Sequence, residues 1–265
     1  MAKAKVANSK TTAVTKAKIQ LPANAMETAA NEVAALKNKL AAPAGKSILV
    51  TQSKEFKFPN PDIGTVKSFF GVIVAFISHN AYYEGDFDRD NIVPPNCFAI
   101  GEVKNDDLIA SKNSPDPQNA DDEMACATCW ANQWKSAKKG NGKACGNKIK
   151  LAILCSDGEV RPMTISSTAL RPFGDYVRDV VQAHNLPPYG VMTEFTFGES
   201  EYSSVRCGNS TKLDDDQLAL VLSLRDQAMQ MISVEPDVSE FETKVVALRD
   251  KPRGKAAVKV AGKKK

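Results

Sequence analysis

Apolar and polar positions in residues 47–236 fall mostly into short runs with the two-residue period of strands, interrupted twice by the 3.6-residue period of helices. Residues 47–51 and 56–58 are brief strand candidates, after which Pro59 and Pro61 force a turn. Residues 66–78, rich in β-branched and aromatic side chains, carry the strongest strand signal in the chain. Gly71 interrupts that run, and a glycine inside a long strand predicts a bulge or sharp coil, the device that lets one strand serve two sides of a small barrel. Residues 97–101 form a short second strand. Residues 148–155 and 160–167 read as a hairpin turning at Ser156-Asp157-Gly158. Phe173, Tyr176, Val177, Val180 and Val181 then recur at helical spacing, predicting a helix over 170–184 that stops before Pro187 and Pro188. Residues 190–197 and 203–207 make another hairpin near Gly198. A second helix, 218–232, follows the capping residues Asp214, Asp215 and Asp216.

Between the early strands lies the stretch with most chemical content. Cys97 follows the Pro94-Pro95-Asn96 turn, Cys126 and Cys129 form a C-x-x-C step, and Cys145 sits in the glycine-rich run from Gly140 to Gly146. The two-residue gap lets both sulfurs of the step point at one ion. Four thiolates at about 2.3 Å can close a tetrahedron around structural Zn2+, so Cys97, Cys126, Cys129 and Cys145 are the expected metal ligands. Unliganded thiols are the plain alternative. Disulfides need an oxidising compartment, and the Ala- and Lys-rich N-terminal stretch has no apolar segment of a secretory signal. Thioredoxin-like chemistry wants C-x-x-C between a strand and a helix, whereas this one follows an acidic loop. Cys155 and Cys207 read as small core residues, with Cys155 or His79 the alternatives for one ligand position.

The elements run strand, strand, hairpin, helix, strand, strand. That is the order of the five-stranded Greek-key barrel called the OB-fold. The expected fold is mainly β with α: an OB-fold-like Greek-key barrel with an inserted zinc-binding loop around 97–147, a helix between strands three and four, and a C-terminal helix. It should occupy residues 47–236, between a disordered basic arm over 1–46, with a transient helix near 25–40, and a disordered basic tail over 237–265.

Charge sharpens this division. The chain carries a formal net charge of +4, yet residues 47–243 hold 18 Lys or Arg against 28 Asp or Glu, so the body is acidic and the ends are basic. An acidic body binds a polyanion only where its positive charge is concentrated. From Ala125 to Ser156 there is no acidic residue, while Lys135, Lys138, Lys139, Lys143, Lys148 and Lys150 all lie inside that window with Trp130 and Trp134. A lysine run is ordinarily a solvated loop; here it coincides with the thiols and with rings able to stack on bases, as Tyr82 and Tyr83 also could.

Catalytic patterns do not assemble. His79 and His184 are the two histidines, the second at a helix end. Residues 140–146 lack the G-x-x-x-x-G-K-[ST] spacing, and Asp86, Asp88 and Asp90 alternate as in a Ca2+ loop without its glycine and closing Glu. No apolar run is long enough to span a bilayer.

The run from Gly71-Val-Ile-Val through Asn80-Ala-Tyr-Tyr, Pro94-Pro-Asn-Cys-Phe-Ala-Ile-Gly101, Cys126-x-x-Cys129, Lys143-Ala-Cys145 and Leu151-Ala-Ile-Leu resembles a group of tailed-bacteriophage proteins, some described as single-stranded-DNA-binding. Pro187-Pro-Tyr-Gly190 extends the resemblance, which covers about residues 48–236. In architecture the chain is also similar to the zinc-containing single-stranded-DNA-binding proteins of large tailed phages. The resemblance implies a non-enzymatic protein of phage DNA replication or recombination, in the cytoplasm of an infected bacterium, with single-stranded DNA and phage replication or recombination proteins as partners. Such binders commonly end in an acidic tail, whereas this chain ends in Lys263-Lys-Lys265. The rival readings are a phage protein that inhibits a host protein and a metal-dependent nuclease using Asp86, Asp88 and Asp90.

Overall fold

The computed structural model describes residues 46–85, 92–119 and 123–241. Residues 1–45 of the basic arm, residues 242–265 of the basic tail, and Asp86, Asp88 and Asp90 lie outside the described residues. Nine strands, three single-turn 3-10 helices and two longer helices are present among those described.

Strands β1 (Leu49–Val50), β2 (Phe56–Lys57) and β3 (Thr65–Val66) form a small antiparallel sheet. The long signal expected over 66–78 is thus divided: Val66 belongs to β3, and β4 runs Phe69–Tyr82. On β4 are built β5 (Cys97–Gly101), β6 (Cys145–Leu154) and β8 (Val191–Phe197), while β7 (Val160–Ile165) adds to β6 and β9 (Val205–Lys212) adds to β8. The order β7-β6-β4-β8-β9 is antiparallel throughout, with β5 pairing to the C-terminal end of β4. The sheet is not closed, for no ladder joins β7 to β9 among the described residues.

The small sheet stands at that opening. Ile48 N–H donates to the Pro162 carbonyl of β7 at 2.9 Å, and Ser203 Oγ, in the β8–β9 turn, donates to the Gln52 carbonyl at 3.2 Å. Phe56 stacks on Phe197 at 4.4 Å.

Gly71 does not form the expected bulge, which falls instead between Ile73 and Ala75. The glycine serves close approach: a Cβ there would lie 2.7 Å from Ile153 Cγ2 and 3.0 Å from the Leu154 carbonyl oxygen, at the point where β4 passes from β8 to β6.

Two helices cover opposite faces of this sheet. Helix α1 (Ser167–His184) connects β7 to β8 and ends at Asn185, whose φ of 52° is the left-handed cap that asparagine tolerates. Its Phe173, Tyr176 and Val180 join Phe56, Ile73, Leu151, Ile153, Met163 and Phe195 in the main core. Helix α2 (Asp215–Ile232) starts in a capping box, with the Asp214 side chain accepting from Gln217 N–H and Gln217 reaching back to Asp214 N–H. Val221, Ala228 and Ile232 cover the other face of β4 and β6, against Val72, Val74, Ile77 and Ala152. Arg225 holds α2 in place by donating to the Val74 carbonyl at 2.9 Å and lying 4.1 Å over the Tyr189 ring. No helix among the described residues is long and apolar enough to cross a membrane.

Candidate metal centre and its aromatic rim

The long connection between β4 and β6 carries the thiols, and strand register brings its ends together. Tyr82, the last residue of β4, pairs with Cys97 of β5 on one edge and Cys145 of β6 on the other. Two cysteines distant in sequence therefore flank one residue. Cys126 and Cys129 reach the same place through the loop: Cys126 N–H donates to the Leu108 carbonyl at 2.9 Å, and Ile109 bridges to Ala125. The turn Trp130–Asn132 leaves directly from Cys129.

All four thiols line one cavity of about 20 Å3, together with Asn80, Tyr82, Gln118, Ala131 and Asn132. None of the chain's cysteines is in a disulfide. Cys155 and Cys207 do not line this cavity; Cys155 packs in the main core and Cys207 against it. His79 does not line it either, since it alternates with Asn80 and so faces the opposite side of β4.

Burial pushes the thiols of Cys97, Cys126 and Cys145 up, and the neighbouring thiols push in the same direction; Cys145 reaches about 12. Opposing this, the Gln118 backbone N–H and the Ser114 side chain hydrogen-bond Cys97, and the Asn80 side chain hydrogen-bonds Cys126. Without a cation the thiols of Cys97, Cys126 and Cys145 stay protonated at neutral pH. With one, the same donors would support thiolates, as outer-shell hydrogen bonds do. The donor set thus suits a thiophilic cation, although no group of three or more His, Cys, Asp or Glu among the described residues already stands in ligating geometry.

Asparagines that sequence reasoning missed brace the cavity. Asn80, 1% exposed, accepts from Asn105 Nδ2 and Asn147 Nδ2, both at 2.8 Å, and donates to the Asn105 carbonyl at 2.7 Å. Asn132 Nδ2 donates to the Cys126 carbonyl at 2.8 Å and to Asp106 at 3.0 Å. The available signal was a buried-strand pattern broken by Ser78, His79 and Asn80; polar side chains there must find partners.

Outside the cavity the expected binding residues divide. Trp134 is 75% exposed, Trp130 50% and Tyr83 46%, and Lys135, Lys138 and Lys139 are exposed with them. Lys138 Nζ donates to the Glu84 carbonyl, which draws this run towards the end of β4. Tyr82 is 8% exposed and meets Trp130 edge to face, so it supports a ring and does not present one. Lys143 is turned inward, its Nζ 3.0 Å from Asp106 Oδ1 and 3.2 Å from Asn132 Oδ1, and 6.0 Å from the Trp134 ring centre. Lys148 and Lys150 stand apart from the tryptophans, half-buried on the α2 side of β6, where Lys150 Nζ donates to the Val234 carbonyl at 3.1 Å.

Comparisons of the chain with protein-family models, with curated proteins and with solved structures gave no match.

Proposed function

We propose that this protein is a non-enzymatic single-stranded-DNA-binding protein whose nucleic-acid surface is organised by a structural zinc ion. The observation that carries the reading is the convergence of Cys97, Cys126, Cys129 and Cys145 on one cavity whose lining residue Tyr82 meets the exposed Trp130 edge to face, with the exposed Trp134 four residues further along the same loop. Zinc at these thiols would pin a long loop that has little regular structure of its own. Trp130 and Trp134 would stack on bases, at about 1–3 kcal/mol per base, and Lys135, Lys138 and Lys139 would neutralise phosphates.

Topology supports an OB-like reading of the scaffold. Taking β4, β6, β7, β8 and β9 as strands one to five, the sheet runs three-two-one-four-five, and α1 falls between strands three and four. The gap that a closed barrel would seal between strands three and five is where the small β1-β2-β3 sheet stands. The thiol loop is then an insertion between strands one and two, a connection that flanks the ligand in such barrels.

The test is fluorescence anisotropy of labelled oligo-dT with the zinc-replete full chain at two salt concentrations, beside a duplex of equal length. Tight, salt-sensitive binding that favours the single strand is expected. Equal binding to both forms that disappears when residues 1–46 and 242–265 are removed would reject the reading for the folded body.

A further inference from the structure

A second feature lies on the opposite face of β4 from the thiols. His79 is 8% exposed, and neither ring nitrogen has a hydrogen-bond partner; they are the buried side-chain polar atoms left so among the described residues. Its register partner on β6 is Lys148, Lys150 is opposite Ile77 two residues away, and Ile100 of β5 is its partner on the other edge. Strand alternation puts Ile77, His79, Lys148 and Lys150 on one face. Neither lysine is in an ion pair among the described residues. Burial and the neighbouring Lys148 push the Lys150 ammonium down.

The chain leaving α2 reaches this face at Lys150. Helix α2 ends with Ile232 packed near Ile77. Val234 then gives its carbonyl to Lys150 on β6, and the next residue, Glu235, accepts from Ser111 Oγ at 2.6 Å and Asn113 Nδ2 at 2.7 Å. Ser111 lies beside β5, its N–H donating to the Phe98 carbonyl at 2.8 Å. Because β4 lies between β6 and β5, a strap tied at both places passes over β4 between the level of Ile77, the partner of Lys150, and that of Ala81, the partner of Phe98, an interval that contains His79. Both ties are hydrogen bonds made at the surface, and Val234 itself is 58% exposed. Helix α2 has its own anchor in Arg225, so the strap can lift while the helix stays docked.

We infer that Val234 and Glu235 form a displaceable strap over a second phosphate-binding site made of Lys148, Lys150 and His79, which the backbone of a single-stranded nucleic acid occupies when the strap lifts. Two lysines without carboxylates are donors in excess of acceptors, and the buried neutral imidazole adds one N–H without a partner. Phosphodiester oxygens would supply the missing acceptors, and lifting the strap frees the one acceptor, the Val234 carbonyl, that Lys150 now holds. Lys148 and Lys150 are two residues apart on a strand, about 6.6 Å, in a file that a backbone can follow. The inference rests on the reading of the protein as a single-strand binder.

The test combines lysine acetylation, read by mass spectrometry, with oligo-dT binding, using the full chain and its Glu235→Ala variant. Glu235 is exposed, so the variant retains the core. Severalfold faster acetylation of Lys150 is expected in Glu235→Ala, with tighter oligo-dT binding, a steeper salt dependence, and protection of Lys148 and Lys150 by the oligonucleotide. A Lys150→Gln variant should remove the gain in affinity. Unchanged Lys150 acetylation in Glu235→Ala overturns the strap, and oligonucleotide binding that leaves both lysines unprotected overturns the site. Failure of both proteins to bind oligo-dT overturns the single-strand reading and the assigned ligand, while the acetylation contrast still decides whether the strap covers this face.

Discussion

The Tyr82 and Trp130 rings meet edge to face, with centroids 5.5 Å apart and planes 75° from parallel. Tyr82 is also the residue flanked by Cys97 and Cys145, so one side chain links the thiol cavity to the exposed indole above it. Tyr82→Ala is therefore expected to cost about 3–5 kcal/mol of stability, the range for deleting a buried aromatic ring. Tyr82→Phe should restore most of it, because the contact with Trp130 is through the ring. Chemical denaturation of both variants checks this; equal loss in Tyr82→Phe would assign the role to the hydroxyl.

Lysines in the same short window should differ in kind. Lys143 pairs with Asp106, whose carboxyl is held below its usual range first by the hydrogen bond from Lys143. Asp106 is well exposed, which limits the pair's worth to about 0.2–1 kcal/mol. Lys143→Ala should thus lower stability slightly and leave the salt slope of oligo-dT binding unchanged. Lys135→Ala, Lys138→Ala and Lys139→Ala should each reduce that slope by about 0.7. A reduced slope for Lys143→Ala with unchanged stability would make it a phosphate contact.

Trp134 has the greatest exposure of the large apolar side chains described. Little core packing is lost in Trp134→Ala, so its melting temperature should stay near that of the wild type while oligo-dT binding weakens by about 1–3 kcal/mol. Parallel loss of melting temperature and metal content would instead make the indole part of the support of the loop.

Element types were legible in the sequence because each rests on local pattern. The alternation in 148–155 and the helical spacing from Phe173 to Val181 gave β6 and α1 with small boundary errors. Pairing across the long connection was harder, since register joins Tyr82 to Cys145 over a span with little periodicity. The C-x-x-C step pointed to the thiol cluster. Its asparagine braces left no such mark, because the partners of Asn80 come from Asn105 and Asn147, far away in sequence. Charge counting likewise could not separate Lys143, which folds back on Asp106, from Lys135, which faces solvent.

His79 predicts how acid acts on the fold. Burial, then Lys150 and Lys148, lower its imidazole from 6.5 to about 3. In the unfolded chain the ring takes a proton below about pH 6.5, while the folded chain refuses it until about pH 3, so the unfolded state binds more protons throughout that window. Stability from this group is full above pH 6.5 and declines as the pH falls towards 3. His79→Leu should flatten the pH dependence of the melting temperature between pH 6.5 and 5, where most carboxylates are still ionised. A slope identical to that of the wild type would show that His79 gains its proton in the folded protein at ordinary pH.

Metal binding at the thiols should be read through protons. Cys97, Cys126 and Cys145 are raised by burial, so in the metal-free protein they are neutral at pH 7, and a thiolate forms only when a proton leaves. Zinc added in a weakly buffered indicator solution should therefore release about three to four protons per metal bound, and affinity should fall steeply as the pH drops. Cys129→Ser removes one ligand of the C-x-x-C step; it should release fewer protons, lose bound zinc and weaken oligo-dT binding together. Cys155→Ser, at a thiol outside the cavity, should keep the metal. Full zinc stoichiometry with undiminished proton release in Cys129→Ser would remove that residue from the ligand set. Loss of zinc with oligo-dT binding unchanged would separate the metal from the surface that Trp130 and Trp134 present.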